Sequence, residues 1–334
     1  MSTTLDSLSL HWRDALDAAE DALDAAGRNR QALQIPVEDL HERTRRLAHE
    51  RSDAEQLLEQ VAHLLRTNVH RRLTGPRARP DLLGLDGAVR ACVFDLDGVL
   101  TPSAALHAAA WQETFDPLLA RHHESSGERY GPWRPFDTNH DYGRYIHGRP
   151  RIEGVHAFLS SRGIRLPEGS LGDAPDAETA YGLANRKNEV LQRRLSLDGV
   201  SAFAGATRYL ETAQEAGLRV AVVSASENTR SILERAGLVG LVDEVVDGGA
   251  MREEELRAKP APDVLLAACR ELDLQPAEAA TFETTEAGIE AGRAAGIHRI
   301  VCVDRTGRAA TLCEHGAHRV VSDLSDLIDP ALGG

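Results

Sequence analysis

The sequence predicts an α/β protein in which a parallel sheet is covered by helices, interrupted by a helical insertion and preceded by a helical hairpin. Three observations carry this. Apolar strand-like runs alternate with helical patterns from Ala88 onward, which is the signature of strands buried on both faces. A long stretch without such runs, about 108 to 197, breaks the alternation. The first 75 residues show apolar positions at helical spacing.

The N-terminal region comes first. Leu5, Leu8, Trp12, Leu16, Ala19, Leu23 and Ala26 recur three and four residues apart, one face of an amphipathic helix. A second helix opens at Pro36 and places Val37, Leu40, Leu47, Ala54, Leu58, Val61 and Leu65 on one side, with Thr44 and Arg51 interrupting a near-heptad register. The pair reads as a helical hairpin over 1–75, either joining two copies of the chain in a homodimer or packing on the body of its own chain; periodicity leaves both open. Residues 76–87 are rich in proline and glycine and read as a linker. The main domain is expected over 88–107 and 198–330, with strands at 91–94, 218–224, 241–246, 279–282 and 298–303. Residues 108–197 form the expected helical cap.

Composition narrows the function. With 52 acidic against 38 basic residues the formal net charge is -14, which disfavours nucleic acid and anionic membrane surfaces as partners. No run approaches the roughly 18 apolar residues of a spanning helix, and no signal core opens the chain, so a cytoplasmic location is expected. The four cysteines form no CxxC pair and read as reduced, structural thiols. Only two of the 38 basic residues are lysine, Lys187 and Lys259. In an arginine-rich chain, each is a candidate for a place where a compact ammonium is needed.

The chemistry centres on Asp95-Leu96-Asp97-Gly98-Val99-Leu100-Thr101, directly after the run Ala91 to Phe94. Two carboxylates stand at the C-terminal end of a strand, where open parallel sheets build their sites. Such close like charges call for a cation or a shared proton.

This DxDGxxT motif resembles that of the haloacid dehalogenase superfamily, and the likeness extends from residue 88 to about 328. The resemblance implies a Rossmannoid parallel core with Asp95 as the nucleophile that accepts a phosphoryl group and Asp97 as general acid and base. Ser224, followed by Ala225, resembles the second motif, whose hydroxyl and backbone amides hold phosphate; taken alone, a serine after a strand is a helix cap. Lys259, in Lys-Pro-Ala-Pro-Asp, matches the third, where an ammonium offsets the charge of phosphate and nucleophile. Within the superfamily the chain is most similar to the β-phosphoglucomutase-like subfamily. Ser103, His107, Trp111, Arg151 and Lys187 fall where that group contacts its sugar phosphate, with Ser226 and Asn228 beside them, and Ala202 to Ala206 resembles its hinge. The expected reaction is conversion of β-glucose 1-phosphate to glucose 6-phosphate, with Mg²⁺ held by Asp95, Asp97 and Glu283. A sugar-phosphate phosphatase is the alternative.

The fourth motif departs from the pattern. Glu283-Thr284-Thr285-Glu286-Ala287-Gly288 keeps the glutamate but carries Thr284 where the resemblance implies an aspartate. Losing a hard anionic ligand predicts weak magnesium binding. Either Asp95, Glu283 and water hold the ion, or Glu286 replaces the lost group, or the protein is catalytically impaired and acts through its N-terminal helices. Pro102 is a second, smaller departure.

Overall fold

The structure is a computed structural model that describes residues 78–126 and 134–330. The expected N-terminal hairpin lies outside the described residues.

Six parallel strands, β1 (Ala91–Asp95), β2 (Arg219–Val223), β3 (Glu244–Val246), β4 (Ala279–Glu283), β5 (Arg299–Val303) and β6 (Arg319–Val321), lie in the order β3-β2-β1-β4-β5-β6. Alternate residues enter different cores. Cys92, Phe94, Val220, Val222, Ala280 and Phe282 pack on one face, and Ala91, Val93, Ala221, Val223, Ala279 and Cys302 on the other. That two-sided burial is why the strands read as unbroken apolar runs. Each fully buried valine or phenylalanine contributes about 1.5–3 kcal/mol of transfer free energy. Phe94 stacks on Phe282 with ring centroids 4.3 Å apart, and Tyr209 packs edge-on against both.

The five expected strands are present, and β6 is an addition. Its residues Arg319-Val320-Val321 are only three long and half exposed, too short to give an alternation signal. The expected linker also needs correction where it is described. Pro80–Leu83 forms a 3-10 turn, Leu83 and Leu85 are buried in the main core, and Tyr209 Oη donates to the Leu83 carbonyl at 3.0 Å. The apolar Leu82-Leu83-Gly84-Leu85 prevails over the flanking proline and glycine.

Between β1 and β2 the chain runs through α1 (Ser103–Ser126), a π-helical turn (Tyr142–Ile146), α2 (Arg151–Ser161) and α3 (Ala180–Leu197), then returns through α4 (Ala204–Glu215). The first helix starts at Ser103, so the expected boundary at 107/108 falls inside a continuous helix. These helices carry an aromatic core of their own. Trp111, Phe115, Phe136 and Phe158 are buried together, with Phe115 at 4.3–5.4 Å from its three ring neighbours. No helix among the described residues is long and apolar enough to cross a membrane.

The strand order reverses between β1 and β4, so a crevice opens above their C-terminal ends, where doubly wound sheets place ligands. Asp95 ends β1 and Glu283 ends β4.

Candidate active site

The turn after β1 is built to present two carboxylates. Gly98 has φ +87°, a left-handed conformation that favours glycine, and its amide donates to the Thr101 carbonyl at 2.8 Å. This folds the chain back so that Ser103 Oγ donates to Asp97 Oδ1 in a very short hydrogen bond, while Thr101 Oγ1 lies 2.6 Å from the same hydroxyl. Ser103 is therefore fully buried and orients Asp97, which corrects its expected role as a substrate contact.

Lys259 lies between Asp95 and Glu283. Its Nζ donates to Asp95 Oδ1 at 3.1 Å and to Glu283 Oε1 and Oε2 at 2.9 and 2.7 Å. Burial disfavours its charge, but the two carboxylates outweigh that and hold its pKa above the ordinary lysine value. Glu283 is buried beneath it and also accepts from Thr281 Oγ1 at 3.0 Å. Burial raises the Glu283 carboxyl against the pull of Lys259.

A cavity of about 850 Å³ opens over this pair, lined by Asp95, Asp97 and Lys259 on the sheet side and by His107, Arg151 and Lys187 on the helical side. Lys187 Nζ is 2.9 Å from His107 Nδ1 and 5.3 Å from the Trp111 ring centroid. Burial first, and then Arg151, lower the Lys187 pKa to about 7, with Asp97 opposing. Burial and the charges of Lys187, His147 and Arg151 keep His107 neutral, with a pKa well below the usual imidazole value. With Lys187 donating to Nδ1, the imidazole proton sits on Nε2, a buried atom with no partner among the described residues. Trp111 is 2% exposed and stacks on Phe115 at 4.9 Å, so most of its surface is in the aromatic core while it still lines the cavity.

After β2, Ser224 is buried and its Oγ accepts from the Ser226 amide at 3.2 Å; Ser226 Oγ accepts from the Asn228 amide at the same distance. Ala225 and Ser226 line the cavity. Asn228 lines the cavity as well, its side chain held by α3, donating to Asn188 Oδ1 at 2.9 Å and accepting from Gln192 Nε2. Arg151 is also engaged. Its Nη2 donates to Glu227 Oε2 at 2.8 Å, and the other Glu227 oxygen accepts from Arg252.

Relatives can be weighed against this geometry. The family model for haloacid dehalogenase-like hydrolases matches residues 89–296, more than half of the chain. The chain belongs to that family. Within it the likeness is to the β-phosphoglucomutase-like branch. The chain is 48% identical over 256 residues to proteins named β-phosphoglucomutase from Mycobacterium bovis and Mycobacterium tuberculosis, an alignment covering 76% of this chain and 97% of each relative. A β-phosphoglucomutase of Bacillus subtilis is 29% identical over 246 residues, covering 72% of this chain and 92% of its own. The solved β-phosphoglucomutase of Clostridium difficile superposes with a TM-score of 0.55 at 21% identity, covering 73% of this chain and 97% of that one, and supports the fold alone. Membership of this haloacid dehalogenase-like family makes the chain an enzyme acting on phosphates.

Members of the family generally use Mg²⁺, but the donors of this chain do not fit a tightly held ion. Both Glu283 oxygens accept from Lys259. At the departing position, Thr284 Oγ1 is buried with no partner among the described residues. Glu286 does not replace the missing acid, because Arg308 holds it at 3.1 Å while also donating to the Thr284 carbonyl. Among the described residues no three acidic, histidine or cysteine side chains are grouped as a metal site. Of the expected set of Asp95, Asp97 and Glu283, Glu283 is taken up by Lys259, and one oxygen of Asp97 accepts from Ser103.

Sequence reasoning passed over Tyr142, Glu227 and Arg308. Tyr142 is buried against the site, and burial together with Asp97 and Asp95 raises its pKa well above the usual phenol value. It lies in a single π-helical turn, which has no periodicity to read. Glu227 stood inside the Ser-Ala-Ser-Glu-Asn motif, where a charge opposite in sign to a phosphate-binding group was a legible signal.

Proposed function

We propose that the protein transfers the phosphoryl group of a sugar phosphate to Asp95 and returns it to another hydroxyl of the sugar, as a β-phosphoglucomutase converting β-glucose 1-phosphate to glucose 6-phosphate. One observation carries the reading. The Lys259 ammonium lies 3.1 Å from Asp95 Oδ1 at the floor of a cavity whose opposite wall bears Arg151 and Lys187. A phosphate dianion approaches an ionised carboxylate only where positive charge offsets the repulsion.

In the first step an Asp95 oxygen bonds to phosphorus, the bond from phosphorus to the sugar oxygen breaks, and Asp97 gives that oxygen its proton. In the second a sugar hydroxyl attacks the phosphoaspartate, yields its proton to Asp97 and frees Asp95. Ser103 keeps Asp97 aimed for both transfers. The Ser224 hydroxyl and the Ala225 amide are suited to the phosphate oxygens. Lys187, held by His107 over Trp111, is suited to the sugar and its oxygens. Residues 108–197 act as a cap whose closure keeps water from the phosphoaspartate.

Asp95→Asn is expected to abolish the phosphoenzyme seen by mass spectrometry. Asp97→Asn should slow turnover by about 10²–10⁴-fold. Unchanged isomer formation in both variants overturns the reading. A second outcome, hydrolysis with release of inorganic phosphate, is favoured by the Arg151–Glu227 pair, because a cap arginine already neutralised holds a bisphosphate poorly. Measuring free phosphate against glucose 6-phosphate in one reaction separates the two.

A further inference from the structure

The helical wall of the cavity carries Arg151 and Lys187, with the imidazoles of His107 and His147 beside them. Arg151 opens α2, and its guanidinium is only 17% exposed. The group it meets comes from the sheet side: Glu227, between β2 and the short helix Thr229–Arg235, gives one oxygen to Arg151 and the other to Arg252. Each of its two oxygens thereby meets a cation.

We infer that Glu227 is a built-in competitor for the second anionic group of a ligand, setting the site's preference for phosphate monoesters of neutral polyols over bisphosphates. The inference rests on the reading that the cavity binds a sugar phosphate. A carboxylate fixed to the same chain acts at an effective concentration on the order of millimolar, so a free anion must displace it to reach Arg151. A monophosphate seated at Asp95 and Lys259 presents hydroxyls to this wall, and hydroxyls hydrogen-bond to an ion pair without breaking it. A second phosphate must instead separate Arg151 from Glu227 and then lie against the released carboxylate, two like charges in a partly desolvated cavity. A ligand carrying two phosphates is accordingly held loosely at its far end.

The test uses isothermal titration calorimetry of glucose 6-phosphate and glucose 1,6-bisphosphate in an Asp95→Asn background, which prevents turnover. Glu227→Gln is expected to raise the ratio of bisphosphate to monophosphate affinity by about tenfold, as removal of one opposing charge at a partly buried pair does. Glu227→Ala should move the ratio the same way, and either substitution should lose its effect when combined with Arg151→Gln. An unchanged ratio with both ligands bound, or an equal rise in the Arg151→Gln background, overturns the role of Glu227 and leaves the sugar-phosphate reading intact. Absence of binding by either ligand to folded protein, checked by thermal melting, overturns both.

Discussion

Thr284 places a hydroxyl with no partner among the described residues where the motif implies a charged oxygen, and its neighbours show how the site adapts. Its methyl lies 3.3 Å from where a Cβ on Gly98 would stand, so it packs against the nucleophile turn. Its carbonyl and Glu286 share Arg308. Restoring the acid with Thr284→Asp should strengthen divalent-ion binding at least about tenfold, since affinity for a hard cation follows the number of charged ligands. Mn²⁺ titration followed by electron paramagnetic resonance reads this without any turnover, and equal affinities in the two proteins would contradict the mismatch described above. At this scale much was legible beforehand. Asp95 and Lys259 meet as the motifs implied, because each is fixed by a strand end or the loop beside it. Ser103 was not legible in this way, because a hydroxyl near a motif serves packing as readily as substrate, and only the fold reveals that its partner is Asp97.

The helix α8 (Glu286–Ala295; five further helices, α5 Thr229–Arg235, α6 Gly248–Glu253, α7 Asp263–Glu271, α8 itself and α9 Ala309–His315, follow β2) shows how an element is tuned to the site. Thr285 caps it, accepting from the Gly288 amide at 3.1 Å. Gly288 then lets the helix press on Glu283, for a Cβ there would overlap Glu283 Oε2. Gly288→Ala is expected to destabilise the protein by about 1–3 kcal/mol through overpacking and to push Glu283 away from Lys259. Chemical denaturation measures the first effect, and a wild-type midpoint would show that the helix has room to move. The strands were readable because burial on both faces leaves them apolar throughout. The turn at 80–83 was not, since its leucines were outvoted locally by proline and glycine, and their burial depends on Tyr209 more than a hundred residues away.

Across the whole molecule the cavity joins an acidic floor to a basic wall, and the wall responds to pH. Lys187 has its pKa lowered to about 7 by burial and by Arg151. The unfolded chain therefore binds more protons than the folded one between about pH 7 and the ordinary lysine value. Its charge costs stability fully below pH 7, and the cost is relieved as pH rises through that window, with a slope of up to about 1.4 kcal/mol per pH unit. Stability of wild type relative to Lys187→Met should rise from pH 7 to 9, and parallel curves would count against a buried, depressed lysine. An incoming phosphate favours the charged amine, so binding above pH 7 should take up a proton and weaken as pH increases. Calorimetry in buffers of different ionisation enthalpy detects that uptake.

The near-absence of lysine elsewhere has a chemical corollary. An acylating or carbamylating reagent finds just two side-chain amines in the entire polypeptide, Lys187 and Lys259. They differ sharply, because Lys187 spends much of its time uncharged near neutrality while Lys259 stays clamped as an ammonium by Asp95 and Glu283. Of these two amines, electrophiles small enough to enter would thus modify Lys187 in the cavity wall ahead of Lys259, giving a covalent handle on the pocket.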